Sequence, residues 1–407
     1  MDKKPGGHIL VLTHWSFKDA LIQTYTLPYV NIIRSILPAN QKIILITSEQ
    51  KNLALTNTET KNINQEWVKQ NMMLLPLPYQ AMGVKKMFLS VQQLWQLYRL
   101  IKKENISTIH AFCTPAGAIG YLLSRLSGAK LLIDSYEPHA ESMVENSTWK
   151  KESLAFRSLF LFEKWQTKRA FCFVSTSAGM RHYAKQKYGI DVQRFFVKPA
   201  CVDFNKFYPR CKEEGLLNEL NLKDKIVCVY AGKLGGIYLK EEVFDFLYEC
   251  YNHWGDRFRF LMLTNASRAE VLQQQERVGL PEHIIIQKFA KHEDVPKYLS
   301  LGDFAINPVR PIPTKRYCTS IKDGEYWATG LPVVITKDIS DDSGIIAQNE
   351  TGYVLNSLSQ SEYKNAILKI EELISKEPEQ TRQKISQVAH KYRSFQIAEK
   401  IYKEIYS

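Results

Sequence analysis

No stretch of this 407-residue sequence is apolar for long enough to span a bilayer, which excludes a protein built from membrane-spanning helices. Its seven cysteines, at 113, 172, 201, 211, 228, 250 and 318, include no C-x-x-C pair and are odd in number. That pattern excludes a disulfide framework and a structural zinc and points to a reducing compartment. Residues 1–7 are polar and basic and run directly into a strand pattern, so no signal peptide is expected. The expected location is the cytoplasm. The usual nucleic-acid motifs are missing too, and the basic residues are dispersed, so no nucleic-acid partner is expected.

What the chain has in excess is positive charge, +12 net with a pI of about 9.1. Anionic partners follow, a nucleotide or an anionic membrane surface among them. At this length, with 45% hydrophobic and 24% charged residues, the chain fits two domains of ordinary globular composition better than one core.

Short apolar runs of strand length occur at 8–13, 42–47, 72–75, 108–112, 130–134, 171–175 and 195–198, with helical patterns between most of them. Such alternation marks an open parallel sheet wound on both faces. A second series at 226–230, 258–263, 284–287, 304–307, 333–336 and 353–355 predicts a second sheet of the same kind. The fold class is therefore α/β, with two Rossmann-like doubly wound domains. Proline brackets a loop where the first series stops, giving a first domain at 1–200, an interdomain hinge at 201–209, a second domain at 210–385 and a C-terminal helix at 386–407.

Doubly wound sheets bind ligands beyond the carboxyl ends of their strands, and 320–336 lies in such a place. Ser320 with Asp323 reads as a capping box and Gly330 with Pro332 as a stop, so a short helix feeds the strand Val333-Val334-Ile335-Thr336. Free N–H groups in the first turn, from Ser320 and Ile321 onward, and the charge of Lys322 suit a diphosphate. Glu325, one turn on, suits ribose hydroxyls. Gly324 costs about 1 kcal/mol relative to Ala in mid-helix unless something approaches closely there. A plain capped helix with Lys322 and Glu325 as a solvated pair fits the same residues equally well.

The stretch resembles the donor-site helix of retaining GT-B glycosyltransferases of family 4, which reads Ser-x-Lys-x-x-Glu-Tyr-x-Ala-x-Gly-x-Pro-Val. Ser320, Lys322, Glu325, Tyr326, Ala328, Gly330, Pro332 and Val333 match it. The resemblance covers most of the chain and is most specific around 303–355. It implies two Rossmann-like domains facing a cleft, with the last helix packing back on the first domain. It also implies transfer of a sugar, with retention, from a nucleoside diphosphate sugar to an acceptor hydroxyl, without a divalent metal or other cofactor. The leaving diphosphate can take the acceptor proton, so no carboxylate pair is required, and none has the spacing of a double-displacement nucleophile.

Further site residues follow from the same resemblance. Tyr230-Ala231-Gly232-Lys233-Leu234-Gly235-Gly236 is similar to the family's Tyr-x-Gly-Arg/Ser-Leu-Gly-Gly segment, which implies donor binding by Gly232, Gly235, Gly236 and Lys240. Lys233 and Lys322 would then stabilise charge on the leaving diphosphate. Lys240 stands one residue further from Lys233 than the family pattern has it. Read alone, the glycines permit close backbone approach to a phosphate, but the spacing is neither a Walker loop nor G-x-G-x-x-G, and Lys233 also fits a solvated loop. Residues 287–299 resemble the base-reading segment, with backbone groups at Phe289 and Ala290 on the base edge. In the first domain His139 resembles the family's active-site histidine, with Glu137 beside it, and His14 and Lys18 are acceptor-side candidates. Without the resemblance, Glu137-Pro138-His139 reads as a structural turn, and His14, in the loop after the first strand, fits a cleft-facing or a surface histidine equally well.

The main departure is at 317, where many members carry the first glutamate of Glu-x7-Glu and this sequence has Tyr317. The sugar is thereby left open. The implied function is a hexosyltransferase acting on a glycan or lipid-linked acceptor in polysaccharide or cell-envelope glycan synthesis. A sugar-nucleotide epimerase of the same architecture and a non-catalytic nucleotide- or glycan-binding protein remain alternatives. Met87, Val91, Leu94, Trp95, Tyr98 and Ile101 recur at helical spacing among Lys85, Lys86, Arg99, Lys102 and Lys103. That stripe fits either peripheral contact with an anionic membrane or packing on its own sheet. The segment 141–168, with Trp149, Phe156, Phe160, Phe162 and Trp165, is a second candidate for either role.

Overall fold

Ile9, Leu10, Val11 and Leu12 are all buried although they are consecutive. Neighbours on a strand point to opposite faces, so both faces of this sheet must be covered. The computed structural model describes residues 7–79, 84–375 and 377–407, without the side chains of 84–90. The first sheet contains β1 (His8–Leu12), β2 (Ile43–Glu49), β3 (Met72–Pro78), β4 (Ile106–Phe112), β5 (Lys130–Asp134), β6 (Cys172–Ser175) and β7 (Phe195–Val197). Its order is β3-β2-β1-β4-β5-β6-β7, and every neighbouring pair is parallel.

The second sheet contains β8 (Ile226–Ala231), β9 (Phe258–Leu263), β10 (Ile285–Lys288), β11 (Phe304–Asn307), β12 (Val333–Thr336) and β13 (Gly352–Leu355). Its order is β10-β9-β8-β11-β12-β13, again all parallel. Alternation along β8 divides its core in two: Cys228 and Tyr230 pack with Phe244, Leu247 and Trp254, whereas Val227 and Val229 pack with Tyr326, Trp327 and Leu331. In each sheet the strand order reverses beside its first strand, at β1/β4 and at β8/β11. Ligand crevices of such sheets open at these two points.

The chain divides into unit 1, Met1–Pro199 with Gln396–Ser407, and unit 2, Ala200–Phe395. Two expected boundaries move. Residue 386 lies inside the helix Pro378–Arg393, whose Ile385 and Ala389 are buried with Trp327 in the core of unit 2. The crossing back to unit 1 therefore comes after Phe395 rather than at 385/386. Residues 201–209 do not stand apart as a hinge either. Val202 and Phe207 are buried in the core of unit 2, and the Val202 N–H donates to the Arg393 carbonyl at 2.9 Å.

The helix Val84–Lys103 buries Leu97 and Ile101 and leaves Val91 60% and Trp95 51% exposed. The expected stripe is thus split, because its core face runs through Leu97 and Ile101 while Val91 and Trp95 sit off it. Arg99 lies over the Trp95 ring at 5.2 Å. The side chains of Lys85, Lys86 and Met87 lie outside the described residues. In the helix Leu154–Arg169, Leu159 is buried while Leu154, Leu161 and Trp165 are exposed. No described helix is long and apolar enough to cross a membrane.

Candidate active site

Unit 2 assembles its candidate residues at the β8/β11 reversal. Beyond β8 the chain turns through Gly235 (φ 76°) and Gly236 (φ 65°), a left-handed pair that side chains resist. The loop is fixed to the segment after β11 by backbone bonds from Leu239 N–H to Pro308 O, 2.7 Å, and from Arg310 N–H to Ile237 O, 3.0 Å. The helix Ile321–Ala328 is anchored to the same strand end, because the buried Tyr326 hydroxyl accepts the Ala231 N–H at 3.1 Å. Lys322 thereby crosses Gly232. A Cβ placed on Gly232 would lie 2.7 Å from Lys322 Cε and from Tyr230 Oη. Lys322 Nζ donates to the Tyr238 hydroxyl at 2.7 Å. Gly232, Lys322 and Tyr238 form one cationic turn, and Lys233 is exposed beside it on the same loop.

The other candidates distribute differently. Lys240 is paired with Glu270 at 2.5 Å, so its charge is already engaged. Glu325 is mostly buried and faces His292, whose Nε2 lies 3.4 Å from Glu325 Oε1. His292 sits in the expected base-reading segment, yet sequence gave no sign of its pairing with Glu325. Phe289 is 76% exposed, and Ala290 packs on the core. Gly324 does not clear room for a ligand. A Cβ there would meet Val202 Cγ2 at 2.6 Å and Arg393 at 3.2 Å. Tyr317 ends a 3-10 turn, Pro313–Tyr317.

The expected Ser320–Asp323 capping box does not form. Ser320 makes no side-chain cap hydrogen bond, and buried Asp323 turns inward to accept from Asn307 Nδ2 at 2.8 Å. The Ser320 N–H is instead taken by Asp342 Oδ2 at 3.3 Å, and Asp342 Oδ1 accepts from Arg393. Burial, then the adjoining Asp342, pushes the Asp323 carboxyl well above the carboxylate range. Asp323 is thus held as a neutral acid beside the Asp342–Arg393 pair.

In unit 1, His139 begins the helix His139–Glu145, and its Nδ1 lies 3.5 Å from Glu137 Oε1. His14 comes from the loop after β1. Burial, then the neighbouring His139, lowers its pKa, so the structure does bring these two histidines within electrostatic reach. Its ring meets Tyr79 edge-on at 5.8 Å. Lys18 does not join them; it pairs with Glu59 at 2.8 Å, and Glu59 closes the capping box of the helix Asn57–Trp67 with Thr56.

Asp134, at the end of β5, is fully buried just before this loop. It lies 3.0 Å from Lys198 Nζ and 3.1 Å from His110 Nε2, and accepts from Tyr402 at 2.5 Å. Burial works to raise its pKa, but Lys198, His110 and Tyr402 together hold it at about 2. Among the described residues, no group of three or more His, Cys, Asp or Glu side chains converges to hold a metal ion.

Two family profiles match the chain: "Glycosyl transferases group 1" over residues 225–372, and "Glycosyl transferase 4-like domain" over 58–201. An Escherichia coli relative, UDP-Gal:alpha-D-GlcNAc-diphosphoundecaprenol alpha-1,3-galactosyltransferase, is 27% identical over 137 residues, which is 34% of this chain and 32% of that protein. The match thus spans about a third of the relative's length. The structure of Anabaena HepE in complex with UDP superposes with a TM-score of 0.71 at 13% identity, covering 98% of both chains. WaaG, a glycosyltransferase involved in lipopolysaccharide biosynthesis, superposes with a TM-score of 0.67 at 13% identity over 98% of this chain and 99% of that one. Such identities show the fold alone. Taken with the two profiles, which between them cover most of the chain, they establish that this protein belongs to the glycosyltransferases of the GT-B fold and resembles family 4.

Proposed function

We propose that the protein transfers a hexose, with retention, from a UDP-sugar to a hydroxyl of a lipid-linked or glycan acceptor in cell-envelope polysaccharide synthesis. The observation that carries this reading is Lys322, held by Tyr238 across the bare backbone of Gly232 at the strand-order reversal of unit 2. A cation fixed there, beside exposed Lys233 and the first turn of the Lys322 helix, suits a diphosphate whose charge grows as the sugar departs. No metal is required for that neutralisation. Glu325, positioned by His292, is the ribose acceptor. Within unit 1, His139 and Glu137 are assigned catalytic roles, and His14 an acceptor-side role, from the family resemblance.

Uridine is assigned because HepE was solved with UDP and the E. coli relative is named for a UDP-galactose donor and a diphosphoundecaprenol-linked acceptor. With such an acceptor the enzyme works at the inner face of the cell membrane. Exposed Trp95 and Trp165, with basic residues such as Arg99 and Arg169 nearby in sequence, suit peripheral contact with an anionic bilayer.

The test is a thermal-shift panel of nucleoside diphosphates in EDTA, followed by product analysis with UDP-hexoses and a lipid-linked acceptor. UDP alone should raise the melting temperature, Lys322→Ala should lose the effect, and a glycosylated acceptor should form. An isomerised nucleotide sugar without acceptor product would replace this reading by an epimerase.

A further inference from the structure

Glu163 is completely buried in the helix Leu154–Arg169. Its Oε1 accepts the Ala140 N–H at 2.9 Å, and its Oε2 accepts the Tyr188 hydroxyl at 3.0 Å. Ala140 is the second residue of the helix that begins with His139, and the N-cap residue of that helix is Pro138, which has no side-chain acceptor. The orphan N–H is therefore capped from another helix, 23 residues away. A serine or asparagine would satisfy one N–H at less cost. A fully buried carboxyl is expensive, and its presence calls for a reason beyond capping.

We propose that Glu163 is a positioning residue for His139, fixing the first turn of its helix and, through its charge, the proton affinity of the imidazole. The inference rests on the reading of His139 as an active-site residue. From the elements packed around it, Glu163 is faced by Glu137 and His139, by Tyr136 after β5, and by Tyr183 and Tyr188 of the segment following β6. Nearby Glu141 is engaged by Lys187 at 2.9 Å. Burial raises the Glu163 carboxyl to about 7, against the bonds from Ala140 and Tyr188 and the pull of His139. Its charge thus changes in the range where an imidazole also titrates.

Glu163→Gln tests the charge, because the amide keeps an acceptor for Ala140 and can pair with Tyr188 in the reversed sense. Glu163→Leu tests the bond. The deciding measurement is an NMR titration of the histidine ring protons of the full chain, with the His139 signal assigned by its loss in His139→Gln. The other eight of the nine histidines report on folding.

Glu163→Gln should lower the His139 midpoint by about half a pH unit or more, and Glu163→Leu should broaden or double its signal while most other histidines stay put. An unchanged midpoint in Glu163→Gln would overturn the proposal, even if Glu163→Leu fails to fold. Failure of the underlying reading looks different: His139→Ala would then turn over UDP-hexose at the wild-type rate while the titration shift in Glu163→Gln remains.

Discussion

Asp342 accepts the Ser320 N–H at 3.3 Å from 22 residues further along the chain, and its other oxygen is held by Arg393, which is buried with it. Arg393 also donates to the Ala200 carbonyl at 3.4 Å and lies over the Trp327 ring at 5.2 Å. One carboxylate thus joins the start of the Lys322 helix to both ends of unit 2. Asp342→Ala leaves Arg393 charged, buried and without its carboxylate, which should destabilise the fold by about 3–5 kcal/mol. Arg393→Met should cost less, because methionine keeps the apolar packing over the Trp327 ring and Asp342 keeps the Ser320 N–H. Chemical denaturation of the two variants checks the order; equal losses would show that the arginine is held by packing alone.

Gly232 and Lys322 make a second pair whose disturbance should be felt in function as well as in stability. A methyl on Gly232 would lie 2.7 Å from the flexible Lys322 Cε and equally close to the hydroxyl of fully buried Tyr230, so the lysine end must move aside and the tyrosine must give way. Gly232→Ala should weaken UDP binding about tenfold, or 1.4 kcal/mol, and lower the melting temperature of the free protein by a few degrees. Tyr238→Phe removes the hydroxyl that holds Lys322 Nζ and should act in the same direction. Calorimetric titration with UDP measures both, and unaltered affinity in both would remove Lys322 from the diphosphate site.

Asp134 should make the protein acid-sensitive. Its carboxyl is held at about 2 in the fold against an ordinary 3.8, so the folded state releases this proton more readily than the unfolded one. The corresponding stabilisation, about 2 kcal/mol, is complete above the ordinary value and is lost as pH falls from about 4 through 2. Asp134→Asn, which leaves Lys198 buried without a counter-charge, should be less stable than wild type at neutral pH, with the gap closing below pH 4. Urea unfolding at a series of pH values gives both curves, and a gap independent of pH would contradict the assignment.

The strands of both sheets were legible because parallel strands covered on both faces are largely apolar runs, as in residues 9–12 of β1, all four of which are buried. The glycine turn after β8 and the Lys322 helix were legible for a related reason, since their composition is local. The caps were not. Ser320 and Asp323 have capping-box spacing, but the carboxylate that takes the Ser320 N–H comes from the helix Asp342–Asn349. Pro138 gives no hint that Glu163 will take its place. Lys18, Lys240 and Glu325 likewise met partners, Glu59, Glu270 and His292, that lie 30 or more positions away. Spacing rules reach one or two helical turns, and partners chosen by the winding of a sheet lie beyond them.

Glu163 should have the opposite pH signature to Asp134. Its carboxyl is raised from 4.5 to about 7 in the fold, so between these values the folded state carries a proton that the unfolded state has released. Stability from this group is therefore full below the ordinary carboxylate value and declines as pH rises through about 7, by about 3 kcal/mol in all. Glu163→Gln cannot release a proton and lacks that decline. The stability of wild type relative to Glu163→Gln should accordingly fall steadily between pH 4.5 and 7 and level off above about 8. Thermal or urea unfolding of the pair in matched buffers measures the difference directly. A difference that is flat, or that grows in favour of wild type with rising pH, would mean that the carboxylate is charged throughout and bound more strongly by Ala140, Tyr188 and His139 than its burial opposes.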